Sequence, residues 1–201
     1  MTRRSEKDAI ATEALVERAK RGDTRAFEAL VDIYKDKIYT YVLRMLRDPA
    51  EAEDVAQDAF LRAYQSLPKF RGASSFQTWL YRIASNLVID SVRRQKRRQD
   101  GGMSLDAPMD TDEGQMAREL ADERRGPEEL AESAALQEQV TEAIAKISPR
   151  LRTVLVLYDI EGMSYQEIAD ILGCPLGTVK SRLFNARAQL REVLEQQMST
   201  S

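Results

Sequence analysis

From Thr178 to Arg187 the chain carries a hydroxyl (Thr178), a cation (Lys180), a second hydroxyl (Ser181), a second cation (Arg182), an aromatic ring (Phe184), an amide (Asn185) and a third cation (Arg187), with no carboxylate among them. Hydroxyl and amide groups can bond to base edges or phosphates, and the cations can neutralise phosphates and make binding salt-sensitive. A phenyl ring among polar neighbours wants an apolar partner, and the methyl of thymine in the major groove is one. Val179, Leu183, Ala186 and Leu190 recur at helical steps and form the inward face of one helix, so the polar set projects from its other side. A shorter helix precedes it, with Ile168, Ala169 and Leu172 on its apolar side; Gly173 permits the turn and Pro175 lies beside the next helix start. This is the pattern of a helix-turn-helix, whose second helix presents its outer side to major-groove bases. The alternative is a helical hairpin with a merely solvated basic side. The short first helix, the glycine turn, the segregated charge and the outward Phe184 favour the DNA reading.

A second group lies between Phe70 and Arg98. Capturing unpaired bases requires aromatic stacking and edge hydrogen bonds, and this stretch supplies Phe70, Phe76, Trp79, Tyr81, a polar loop ending in Ser74 and Ser75, and Asn86. Phe76, Leu80, Ile83 and Leu87 share one face and read as core; Trp79, at its edge, fits either role. Arg93, Arg94, Lys96, Arg97 and Arg98 continue from this surface and could hold phosphates, although a basic run can also be a solvated helix end. A third group is the outer side of the preceding helix. Ala52, Val55, Ala56, Ala59 and Ala63 face inward, leaving Asp54, Gln57, Asp58, Leu61 and Gln65 opposite. Leucine among carboxylates and amides suits a small protein-docking patch; taken alone it also suits a solvated face with one stray leucine.

Other chemistry is disfavoured. The chain has no histidine, which removes the commonest general base and the usual metal ligand. The one cysteine, Cys174, allows neither an internal disulfide nor a cysteine-cluster metal site, and its apolar turn favours packing. Acidic residues mostly lie on helix surfaces or in one stretch, so no catalytic, metal-ligating or cofactor-binding residue is assigned. The formal net charge of -3 hides two basic segments, Ser91 to Gln99 and Lys180 to Arg191, divided by the acidic stretch Asp100 to Ser133. No apolar run approaches the roughly 20 residues of a membrane span, and the start lacks the apolar core of a secretory signal, so a cytoplasmic protein without membrane insertion is expected.

Helical periodicity dominates, and nothing alternates long enough to suggest a strand. Arg25 to Arg47 carries Phe27, Leu30, Val31, Tyr34, Ile38, Tyr41, Val42 and Met45 as an amphipathic stripe that stops at Asp48-Pro49. Ala50 to Leu67 ends at Pro68, and Ser74 or Ser75 can cap a long helix to about Arg98. After a Gly-, Pro- and Asp-rich linker, helices are expected from Leu136 to Ile147 and, after Ser148-Pro149, from Arg150 to Glu161. The expected fold is all-α: an N-terminal extension (1–22), a helical domain (23–98), a flexible acidic linker (99–135) and a helix-turn-helix domain (136–197).

Two long stretches carry a resemblance. AEDVAQDAFLRAYQSLPKFRGASSFQTWLYRIASNLVIDSVRR resembles the second region of bacterial sigma factors, and EGMSYQEIADILGCPLGTVKSRLFNARAQL resembles their fourth. Their order, the small size and the lack of a large intervening domain are similar to the extracytoplasmic-function group of the sigma-70 family. The resemblance implies a dissociable, non-enzymatic subunit that directs core RNA polymerase to a promoter and helps open it. It implies recognition of the −35 element as duplex by Thr178, Lys180, Ser181, Arg182, Phe184, Asn185 and Arg187. It implies that Phe70, Ser74, Ser75, Trp79, Asn86, Arg93, Arg94 and Arg97 serve the −10 element and the melted strand. It also implies docking of Asp54, Gln57, Asp58 and Leu61 on the clamp helices of the largest core subunit. A linker threading toward the RNA exit path and an anti-sigma partner belong to the same implication; a plain spacer is the alternative for the linker.

Overall fold

The structure, a computed structural model, describes residues 3–99 and 140–198; the linker from residue 100 and residues 136–139 of the expected following helix lie outside the described residues. Among the described residues every regular element is helical. Two compact units divide the chain, one built on the first four helices and one on the C-terminal helices.

In the first unit, α1 (Arg3–Lys20) packs on α2 (Thr24–Leu46), and α3 (Pro49–Ser66) and α4 (Phe76–Gln99) pack on α2 and on each other. The α1 helix occupies the region read from sequence only as an extension; it buries Val16 and Ala19. Gly22, with φ +92°, makes the turn into α2, and the Asp23 carboxylate caps that helix by accepting from the Ala26 N–H at 3.2 Å. Arg18 donates to the same carboxylate at 2.9 and 2.7 Å. The next reversal uses Arg47 at φ +62° and Asp48, whose side chain accepts from the Ala50 and Glu51 N–H groups at 2.9 and 3.1 Å. Pro49 then sits where a missing N–H costs nothing.

The core follows the apolar stripes. Leu30, Ile38, Tyr41 and Val42 of α2 meet the small face Ala52, Ala59 and Ala63 of α3 and Leu80, Tyr81, Ala84 and Val88 of α4. Each fully buried large side chain contributes about 1.5–3 kcal/mol, and the alanines let α3 approach closely. Tyr41 and Ser85 share a buried hydrogen bond of 2.8 Å, which satisfies both hydroxyls inside this core.

In the second unit, residues 140–146 are helical. The α5 helix (Pro149–Leu155) runs directly into a π-helical turn (Val156–Ile160), where the sequence suggested one regular helix to Glu161. The Glu161 N–H donates to the Val156 carbonyl at 3.0 Å, five residues back, which marks the inserted residue. Buried Arg152 donates to the carbonyls of Ala145 and, at 3.0 Å, of Ile147, closing the end of the preceding helix. Then come α6 (Tyr165–Leu172), a turn at Gly173 (φ +61°) and α7 (Leu176–Met198), which packs on α5. A reciprocal cap opens α6: Ser164 N–H donates to Glu167 Oε2 at 2.9 Å, and Glu167 N–H to Ser164 Oγ at 3.3 Å.

Candidate nucleic-acid and docking surfaces

Along α7 the pattern sorts as its spacing demands. Val179, Leu183 and Ala186 are buried and Leu190 half-buried, while Lys180, Phe184 and Arg187 are exposed. Phe184 leaves 46% of its surface in water. Thr178, Ser181, Arg182 and Asn185 lie half-buried at the flanks, Ser181 donating to the Thr178 carbonyl at 3.2 Å. Arg182 brings Nη1 to 4.0 Å from the Cys174 sulfur in the turn.

Arg187 has another engagement. Its guanidinium donates to both oxygens of Asp159 in the π turn, Nε to Oδ2 at 3.2 Å and Nη2 to Oδ1 at 2.5 Å, and lies 5.4 Å from the centroid of the Tyr158 ring. Tyr158 stacks on Tyr165 at 4.7 Å with an interplanar angle of 17°. Hydrogen bonding to Tyr158 pushes the Tyr165 phenol above its usual 10.0. Lys180 sits 5.8 Å over the Tyr165 ring. From sequence no role falls to Tyr158, Asp159 or Tyr165, since an Asp–Arg pair 28 positions apart leaves no local signal.

In the first unit, Phe70 and Trp79 meet at 4.8 Å, and both touch Phe76, at 6.4 and 5.7 Å. Phe70 and Trp79 are half-buried, so part of each ring stays open. Tyr81 is a correction: it is fully buried against Tyr41 at 5.3 Å and cannot stack on a base. Ser75 caps α4, its Oγ accepting from the Thr78 N–H at 3.0 Å and sharing a 2.8 Å bond with Thr78 Oγ1. Ser74 is half-buried, with Oγ 3.5 Å from the Ser75 carbonyl.

Asn86 is exposed two helical turns beyond Trp79, and Arg93 two further on, so the seven-residue step puts all three on one stripe that Arg97 extends. Arg94 is exposed beside it; the side chains of Lys96 and Arg98 lie outside the described residues. Glu51 receives hydrogen bonds from Ser91 and Gln95, which ties the basic end of α4 to the start of α3. Asn86 also lines an open depression of about 400 Å³ with Arg62, Gln65, Ser66, Lys69 and Ile83. Phe70, Trp79, Ser74 and Ser75 are not among its walls. Of the α3 residues of that depression, the sequence places Gln65 on the outer, docking side of the helix, while Arg62 and Ser66 read as ordinary helix surface.

On the outer side of α3, Asp54, Gln57 and Leu61 are exposed and Asp58 half-buried, Leu61 at 55%. Asp58 pairs with Arg62 at 3.1 Å, and Gln57 donates to Glu53 at 3.2 Å. Tyr64, also unforeseen, adds a second exposed apolar group one turn from Leu61, its ring edge-on to Phe27 at 5.0 Å. The i, i+3 spacing from Leu61 was the available clue. Among the described residues no cluster of metal-ligating side chains occurs and no helix is long and apolar enough to cross a membrane.

Comparison with known proteins covers both surfaces. The family described as Sigma-70 region 2 matches residues 30–98, and Sigma-70, region 4 matches residues 137–190. The chain is 42% identical over 180 residues to the ECF RNA polymerase sigma factor SigW of Bacillus subtilis (strain 168), spanning 89% of this chain and 94% of that protein. Among solved structures, CnrH in complex with the cytosolic domain of CnrY aligns with a TM-score of 0.66 at 27% identity, over 92% of this chain and 98% of that one. The sigma factor RpoE of Bartonella quintana, in complex with the anti-sigma factor NepR, has the same fold: TM-score 0.62, 24% identity, 84% of this chain and 96% of that one.

Proposed function

The chain belongs to the extracytoplasmic-function sigma factors of the sigma-70 family, and on that premise we propose how it divides promoter recognition between its two units. It is a non-enzymatic initiation factor that acts with RNA polymerase at promoters; the residue assignments are our reading. The C-terminal unit reads the −35 element as duplex, with Thr178, Ser181, Phe184 and Asn185 toward base edges and Lys180 and Arg182 toward phosphates. The N-terminal unit docks through Asp54, Gln57, Asp58 and Leu61 on the clamp helices of the largest core subunit. It holds the unpaired −10 strand along Phe70, Ser74, Trp79, Asn86, Arg93, Arg94 and Arg97. Ser75, already spent on the α4 cap, shapes that loop. The open depression beside Asn86, with Arg62, Gln65 and Lys69 on its walls, lies along this path and is the place proposed for one unpaired base.

The observation that carries this reading is the stripe of aromatic, amide and arginine side chains from Trp79 to Arg97 on α4. A repressor using only the helix-turn-helix has no use for it. An anti-sigma factor is proposed as a further partner, in line with the sigma factor RpoE of Bartonella quintana being solved with the anti-sigma factor NepR. The site of action is the cytoplasm, where the polymerase works.

Run-off transcription with purified bacterial core on genomic fragments tests the proposal. The chain should confer initiation at defined start sites. Lys180→Glu should lower that initiation about tenfold or more with core binding intact, and Asp58→Arg should raise the dissociation constant for core about tenfold; tenfold corresponds to about 1.4 kcal/mol. Failure of the chain to associate with core would overturn the proposal.

A further inference from the structure

We infer that Arg187 is a positioning residue, held by Asp159 and the Tyr158–Tyr165 stack so that α7 meets DNA at a fixed rotation, and is not a phosphate ligand. The inference rests on the reading of α7 as the duplex-reading helix. Position and charge alone put Arg187 on the DNA face, two helical turns beyond Lys180. The geometry gives its guanidinium a different task. Two donor nitrogens are committed to the two oxygens of Asp159, and Tyr158 lies over the guanidinium at 5.4 Å. A phosphate would have to displace a bidentate carboxylate to gain the same fork.

The π turn makes this possible. The residue inserted between Val156 and Ile160 advances the helical register, and Tyr158 and Asp159 come out beside α7. Such insertions in otherwise regular helices recur at functional sites. Tyr158 then stacks on Tyr165, the first residue of α6, and Tyr165 lies under Lys180. One chain of contacts thus runs from the end of α5 through the start of α6 to both ends of the basic face of α7. The side chains of Arg187 and Asp159 keep 46% and 32% of their surface, so the pair adds little to global stability. Its contribution is orientational: planar fork and stacked rings fix the direction of Phe184 and Asn185, which lie on the turn between Lys180 and Arg187.

The two roles predict opposite signs for one substitution. The full chain is assembled with core and titrated, over a range of salt, on promoter duplexes recovered from its own run-off transcripts. If Arg187 positions α7, Asp159→Asn weakens promoter binding about three- to tenfold and leaves the log–log salt slope unchanged. If Arg187 were a phosphate ligand, freeing it from Asp159 would tighten binding and steepen the slope by about one unit, and the inference would fall. The exchange supplies a second readout: Asp159→Arg and Arg187→Asp each lose promoter-specific initiation, and the double variant regains most of it. No regain in the double variant also overturns the inference. Lys180→Ala, run alongside, should reduce the slope by about one unit. If Lys180→Ala changes nothing, the reading of α7 itself fails, an outcome separate from the sign of the Asp159→Asn effect.

Discussion

Phe184 is a large ring left nearly half in water on the turn between two cations. Apolar surface of that kind costs free energy until it is covered, and in the proposed reading a thymine methyl in the groove covers it without a polar partner. Phe184→Ala should weaken binding of the assembled complex to its promoter by about 1–2 kcal/mol, a factor of roughly ten. The loss should fall on one base position, with the salt slope unchanged, because no counterion is released by a phenyl ring. Competition between the promoter duplex and single-base variants of it measures this; equal loss on all sequences would show that Phe184 packs only against protein. At this scale the outward position of Phe184, Lys180 and Leu61 was legible, because one helix carries the whole signal. It was not legible for Tyr81, where an aromatic ring counted as available is buried against Tyr41, nor for Asp159, whose meaning comes from a residue 28 positions later.

Among the elements, the junction of α1 and α2 concentrates its interactions on one carboxylate. Asp23 accepts from Arg18 and caps α2 through the Ala26 N–H, and these bonds, the Arg18 one foremost, hold its pKa below the ordinary 3.8. A folded-state pKa lower than the unfolded one means that this stabilisation is complete above 3.8 and is lost as pH falls through the lower folded value. Asp23→Asn keeps a capping oxygen and removes the charge. Its thermal midpoint should therefore lie below that of the unaltered chain at neutral pH, and the two should converge as the pH drops beneath 3.8. A constant gap at all pH values would mean that the charge is irrelevant there. The same junction shows why α1 went unread. Among its described side chains only Val16 and Ala19 are buried, too few to make a stripe among the surrounding charges, and α1 packs that face on α2. By contrast α2 and α3 were readable because long apolar stripes end at proline or a capping residue, and α4 and α7 because theirs start after Ser75 and Pro175. The π turn escaped because periodicity assumes a regular advance per residue, and one inserted residue changes the register without changing composition.

At the scale of the whole chain, 30 cations are set against 33 carboxylates, so attraction to DNA is a property of two local surfaces and not of the molecule. At physiological salt the screening length is about 8 Å, so each basic surface acts on a phosphate essentially at contact. Among the described side chains neither surface is large: α7 offers Lys180, Arg182 and Arg191 with a few polar groups, and α4 offers exposed Arg93, Arg94 and Arg97. Affinity must then come from engaging both in one complex. On the proposed division, once core holds the N-terminal unit at the −10 element, binding of the C-terminal unit at −35 becomes intramolecular, with an effective concentration of about a millimolar. The full chain without core should therefore bind an intact promoter duplex at least about a hundredfold more weakly than the assembled holoenzyme, within the gain that linked binding provides. Fluorescence anisotropy on one labelled duplex, with and without core, measures the ratio. A duplex with its −10 bases left unpaired should narrow the gap, since the cost of opening is removed from the free chain's side. A tight, sequence-specific complex of the free chain with the closed duplex would mean that one surface suffices, and the proposed division between duplex reading and strand capture would not hold.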